Sequence, residues 1–168
     1  PDLYGGATTH DAAEAGELMQ KLPVDRAARD LRGAVDYLLS RDEVTGDRVG
    51  SVGFCMGGAF VLQLAVQEGG KIAAAVAFYP VGSLPEDYAG LQAQVLIHVA
   101  DQDQFAPASQ ADELAEKIAA GNGRKPEIEH YPAGHAFHND ENLLGTHDPE
   151  QARRAWERTI SFLREHLG

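Results

Sequence analysis

The sequence predicts an α/β fold, a mainly parallel sheet with helices on both of its faces. Three observations predict it. Ile72–Phe78 (IAAAVAF) and Gln94–Ala100 (QVLIHVA) are almost wholly apolar, as strands buried on both faces must be. Val24, Ala27, Ala28, Leu31, Ala34, Val35, Leu38 and Leu39 recur at i, i+3, i+4 spacing, the stripe of a helix with one buried face. Segments of these two kinds alternate along the chain, the order expected of parallel strands joined by helical crossovers.

The elements follow in turn. After an opening loop, Asp11–Lys21 is a weak helical stretch. Pro23, whose ring presets a helical φ, is placed as the first residue of the long helix ending near Leu39. Thr45–Asp47 (TGD) turns the chain into a short strand at Arg48–Phe54. A helix over Gly57–Gln67 is stopped by Gly69 and Gly70. The strand Ile72–Phe78, a loop over Pro80–Gly90 and the strand Gln94–Ala100 come next. Pro107 opens a helix over Ala108–Ala120, with Gly121 just past its end. Lys125–Tyr131 is a final strand, polar enough to belong near a sheet edge. Asp148 caps the last helix, Pro149 fits its first turn, and Gln151 completes a capping box. Ala152, Trp156, Ile160, Leu163 and Leu167 form that helix's apolar stripe.

A length of 168 residues suits a single domain over 1–168. No apolar run approaches the roughly 20 residues that span a bilayer. With 14 basic against 26 acidic residues the net charge is −12, which repels phosphate backbones and anionic membranes. Neither nucleic acid nor a membrane is therefore an expected partner. The single cysteine cannot form an internal disulfide, and no signal peptide is visible. Both suit a reducing, cytoplasmic setting.

Ligands of such sheets bind beyond the carboxyl ends of the strands, so the residues just after each strand carry the functional argument. After Arg48–Phe54 comes Gly53-Phe54-Cys55-Met56-Gly57, the G-x-C-x-G form of a nucleophile elbow. A nucleophile on a sharp strand-to-helix turn sits in a strained backbone, and its neighbours two before and two after approach too closely for a Cβ. The helix that follows aims its positive end at the thiol, and the Met56 N–H is a ready oxyanion donor. The plainer reading of Cys55 is a small buried residue in a glycine-rich packing turn. After Gln94–Ala100 comes Asp101-Gln102-Asp103-Gln104-Phe105, where an aspartate either caps a helix or orients an imidazole. After the last strand comes YPAGHAFHND, Tyr131–Asp140, with His135 in a loop. His135, His138 and Asp140 make a poor metal site, because no third convincing ligand stands at close spacing; no metal or cofactor is expected. His98 lies inside a strand and reads as a satisfied core histidine. Nucleophile, acid and histidine thus occur in that chain order, each beyond a separate strand, which is the order of the α/β-hydrolase triad.

GFCMGG, ADQDQFAP, YPAGHAFHN and the opening PDLYGG together resemble the dienelactone hydrolase family, over essentially the whole chain. That family is a branch of the α/β-hydrolases with a Cys–His–Asp triad. The resemblance implies Cys55 as nucleophile, His135 as general base and acid, and Asp103 rather than Asp101 as the group orienting His135. A substrate pocket lined by Tyr4, Phe105, Phe137 and Asn139 is expected, with core packing an equal alternative for each of the three aromatics. The family carries an arginine shortly after PDLY and another a few residues past the histidine, which pair with the substrate carboxylate. Here those places hold Gly5 and Gly6, and His138 and Asn139. Glycine and asparagine do not replace a bidentate arginine, so a neutral ester or lactone is the expected substrate. In the family PDLY follows an internal strand, so the chain corresponds to the C-terminal portion of the fold. An upstream segment, or a second fragment, is expected to complete the sheet beside the Cys55 strand and to supply a second oxyanion donor. The rival expectation, from another class, is a non-catalytic hydrolase-like domain that binds a small molecule or senses oxidants through Cys55.

Overall fold

The two apolar stretches are strands with the bounds their composition sets. In the computed structural model, which describes residues 1–167, β2 spans Ile72–Phe78 and β3 spans Gln94–Ala100. Every residue of β2 is buried, and all of β3 but its first. β1 is Val49–Phe54 and β4 is Glu127–Tyr131. The four are parallel, in the order β1-β2-β3-β4. The polar β4 stands at one edge, where its outer groups keep their water; β1 stands at the other, mostly half-buried.

The helices are α1 (Ala12–Lys21), α2 (Val24–Leu39), α3 (Met56–Glu68), α4 (Ser109–Asn122) and α5 (Pro149–Leu167). No helix among the described residues is long and apolar enough to cross a membrane. The chain divides into two compact units, Pro1–Gly46 and Asp47–Gly168. In the first, the Asp11 carboxylate caps α1 by accepting from the Glu14 N–H at 2.9 Å. Pro23 caps α2 rather than opening it, its carbonyl accepting from Arg26 and Ala27 at 3.0 Å each.

The second unit is layered as alternating strands and helices require. A Cβ on Gly53 would meet Val61 of α3, whereas one on Gly50 would meet Leu163 and Leu167 of α5. Residues an odd number apart point to opposite faces of a strand, so α3 and α5 cover opposite faces of the sheet. Between α5 and the sheet lies a cluster of Val76, Phe78, Tyr79, Leu96, Tyr131, Phe137, Ala155 and Phe162, all buried. Each large side chain so buried stabilises the fold by roughly 1.5–3 kcal/mol.

Two helices depart from the pattern read off the sequence, each for a local reason. α4 runs through Gly121 and ends at Gly123, which takes the left-handed φ of +77° and donates its N–H to Ala119. Gly121 stays inside because Tyr88 packs on it, 2.8 Å from where a Cβ would stand. On α5 the buried stripe is Ala152, Ala155, Thr159 and Phe162, while Trp156 and Leu167 are more than 40% exposed (42% and 45%). Counting apolar residues misplaces that face because its central member is polar. The Thr159 hydroxyl donates to the Ala155 carbonyl at 2.9 Å and lies 2.9 Å from His98 Nε2. His98 is fully buried on β3, its Nδ1 2.9 Å from the Tyr131 hydroxyl. Since the Thr159 hydrogen is spent on Ala155, Nε2 carries the proton and Nδ1 accepts from Tyr131. The buried imidazole is neutral and satisfied at both nitrogens.

Candidate active site

Strand register brings the carboxyl ends together. Phe54 pairs with Phe78, Phe78 with His98, and Ala100 with Tyr131. Backbone bonds carry the sheet one step further: Cys55 N–H to Phe78 O (3.0 Å), Tyr79 N–H to His98 O (2.7 Å), and Asp101 N–H to Tyr131 O (2.9 Å). Cys55, Tyr79, Asp103 and His135 therefore converge on one rim.

Cys55 caps α3 with φ +57° and ψ −120°, a conformation an L-residue holds only when its surroundings impose it. The imposing contacts are visible. The Cys55 carbonyl accepts from Gly58 (2.9 Å), Ala59 (3.3 Å) and Val81 (3.2 Å). A Cβ on Gly53 would stand 2.1 Å from the Gly57 carbonyl oxygen, so that glycine is obligatory. Gly57, by contrast, has open space where a Cβ would go. The motif's two glycines are thus not equivalent: the crowding falls on the strand side only. Gly53→Ala is expected to lose on the order of 4 kcal/mol of stability. Gly57→Ala is expected to lose less than about 1 kcal/mol. Urea denaturation of the two variants checks the contrast.

The Asp103 carboxylate is organised by its own loop. Its Oδ1 accepts from the N–H of Phe105 (2.7 Å) and of Ala106 (3.0 Å), and its Oδ2 lies 2.7 Å from His135 Nδ1. Asp101 turns away and pairs with His130, also at 2.7 Å. Because an ionised carboxylate only accepts, His135 carries its proton on Nδ1, which frees Nε2 for another partner. That nitrogen is the one left to serve Cys55, which together with Asp103 acts on the imidazole. The Asp103 and His135 side chains are 1% and 5% exposed. Burial pulls the imidazole toward neutrality, but the nearby Cys55 and the hydrogen-bonded Asp103 outweigh it and raise the His135 pKa. The loop is pinned by Thr146, whose hydroxyl donates to the His135 carbonyl at 2.5 Å, and turns sharply at Ala136, φ +60°.

Beside Cys55 opens a concavity of about 400 Å³ lined by Phe54, Cys55, Tyr79, Ala136, His138, Asn139 and Asp140. No lysine or arginine lines it. His138 packs among Phe54, Phe78 and Trp156 at 5.2–5.6 Å, and burial lowers its pKa, which keeps it neutral near pH 7. Of the residues expected to line a pocket, Asn139 does so. Phe137 does not: it is fully buried between Tyr79 (5.4 Å) and Tyr131 (5.0 Å), because the turn at Ala136 sends it back into the core. Phe105 is 60% exposed and lies against His135 rather than in the concavity. Tyr4 belongs to the first unit, in a loop where the Asp2 carboxylate accepts from the N–H of Tyr4 (2.9 Å) and Gly6 (2.5 Å).

Tyr79 carries no motif, and position alone could have singled it out, as the first residue beyond β2. It is a non-glycine residue at φ +36° and 3% exposed. Burial, and the charges at Cys55 and Asp103, push its phenol far above its ordinary pKa and keep it neutral.

Comparison with known proteins gives a consistent picture. Residues 1–167 match the family model described as the dienelactone hydrolase family. The chain is 28% identical to protein usf of Aquifex pyrophilus, over 99% of this chain and 74% of that protein. It is 29% identical to a carboxymethylenebutenolidase of Pseudomonas putida, over 82% of this chain and 61% of that enzyme. The solved structure of a dienelactone hydrolase-like promiscuous phosphotriesterase from metagenomic libraries superposes with a TM-score of 0.81 at 25% identity, covering 98% of this chain and 72% of that one.

Proposed function

This chain belongs to the dienelactone hydrolase family and has the α/β-hydrolase fold, and from that premise we propose that it cleaves neutral carboxylic esters or lactones through a thioester on Cys55. The observation that carries the reading is the position of His135, bonded through Nδ1 to the buried Asp103 at 2.7 Å, on the same rim as the strained elbow of Cys55.

The chemistry follows from that arrangement. Cys55 Sγ, its proton passed to His135 Nε2, attacks the carbonyl carbon. The tetrahedral oxyanion faces the Met56 N–H at the positive end of α3. Collapse breaks the carbon–oxygen bond of the ester, and His135 returns the proton to the departing alkoxide. A water molecule, deprotonated by His135, then attacks the thioester, and the carbon–sulfur bond breaks. The products are an acid and an alcohol, or one hydroxy acid from a lactone. Asp103 holds the Nδ1 proton and stabilises the imidazolium in both halves. The pocket supports a neutral substrate: among its lining residues Asp140 carries a negative charge and His138 is neutral, so a carboxylate finds no cation there.

Mass spectrometry of the chain quenched during turnover of a short p-nitrophenyl ester tests this. The expected result is one added acyl group on the peptide that carries Cys55. Turnover with no acyl group on that peptide would sink the thioester route.

A further inference from the structure

Two aromatic rings touch the imidazole of His135, one from the buried core and one from the surface. Tyr79 comes from the end of β2, its centroid 4.9 Å from His135 at an interplanar angle of 59°. Phe105 comes from the loop after β3, also at 4.9 Å and at 57°. Tyr79 reaches its place through a positive φ, and Phe105 through leaving most of its surface in water. Backbone outliers of this kind persist only where the surrounding structure over-determines them, and they cluster at active sites.

Asp103 fixes the Phe105 backbone relative to the histidine. Its Oδ1 holds the Phe105 N–H at 2.7 Å, while its Oδ2 holds His135 Nδ1 at 2.7 Å. One carboxylate therefore holds both the imidazole and the backbone from which the Phe105 ring springs. An aromatic ring attracts a cation through its negative face and a neutral imidazole much less. The other groups facing His135 are the Asp103 carboxylate, the Cys55 thiol and the neutral Tyr79 phenol.

We propose that Tyr79 and Phe105 are positioning residues for His135, whose rings hold the imidazole in place and favour it when it is protonated. The inference rests on the reading of His135 as the proton carrier, but its test requires no turnover.

The test is the NMR titration of His135 in the full chain labelled with ¹⁵N-histidine, for the parent, Phe105→Leu, Phe105→Tyr and Tyr79→Phe. Leucine keeps an apolar cover of similar reach, so the solvation of His135 changes little and the shift reports the ring. Phe105→Leu is expected to lower the His135 pKa by about half a unit. Phe105→Tyr restores it, and Tyr79→Phe, which keeps its ring, titrates as the parent does. On a neutral p-nitrophenyl ester, Phe105→Leu is expected to lower kcat several-fold and to leave KM nearly unchanged. An unchanged titration in Phe105→Leu would overturn the inference. A change in KM alone would make Phe105 a wall of the substrate site instead. A shift in Tyr79→Phe would move the effect from ring to hydroxyl and overturn the inference as stated. Were the chain inactive on every ester tried, the titration would still decide the matter, so failure of this proposal and failure of the hydrolase reading are separable.

Discussion

Cys55→Ala is expected to lower kcat/KM on a short p-nitrophenyl ester by a thousandfold or more while leaving the fold intact. The fold survives because alanine keeps the Cβ and meets the same φ of +57° that cysteine already holds. The contacts that impose that turn come from the Cys55 backbone, namely its N–H to Phe78 and its carbonyl to Gly58, Ala59 and Val81. The activity does not survive, because the chain has one cysteine and the substitution leaves the elbow without its nucleophile. What remains is binding and oxyanion stabilisation, which acts on a carbonyl that nothing attacks efficiently. The loss is also expected to be non-additive. His135→Ala alone should cost about as much, and the double variant little more, since thiol and imidazole act as one unit. Two independent, multiplying losses would mean that the residues do not share a step. Equal slow rates in parent and Cys55→Ala would remove Cys55 from the chemistry.

Those residues were legible in the sequence because their chemistry sits where strand ends are easy to find. IAAAVAF and QVLIHVA announce buried strands by composition, and their bounds are those of β2 and β3. Once the strands stand, Cys55, Asp103 and His135 fall just beyond three of them, and the fold brings them together. The rest depended on packing that apolar periodicity does not encode. Gly53 and Gly57 look alike in G-x-C-x-G, yet one is jammed against a carbonyl and the other open. Phe137 and Phe105 both look like pocket aromatics beside motif residues, yet a turn at Ala136 buries the first and a carboxylate holds the backbone of the second beside His135. The α5 stripe was misplaced because Thr159, a polar residue, lies at its centre. Its hydroxyl serves a histidine sixty-one residues away, a partner no local pattern reveals.

That buried histidine gives the fold a predicted acid sensitivity, the second large effect expected here. Burial first, then the positive charge of Arg158 and that of His138 once acid protonates it, push the His98 pKa from 6.5 down to about 3. The sign follows from where the proton goes. In the unfolded chain His98 titrates near its ordinary value, so below that pH the unfolded state binds a proton that the native state refuses. The contribution is present in full above pH 6.5 and is lost as pH falls from there toward 3. By pH 4.5, two units into the window, the loss is about 3 kcal/mol, against a total stability of roughly 5–15 kcal/mol for a domain. The structural reason is that a protonated His98 would present N–H to the Tyr131 oxygen, whose own hydrogen would lose its acceptor in the core. His98→Gln isolates the effect. Its amide can donate to Thr159 and accept from Tyr131 as the imidazole does, but it does not titrate. The parent is expected to lose stability more steeply than His98→Gln between pH 6.5 and 4, by about 1.4 kcal/mol per unit, in urea midpoints measured at each pH. Parallel curves would show that the native state accepts the proton at His98, and that the Tyr131–His98–Thr159 chain yields to acid without unfolding.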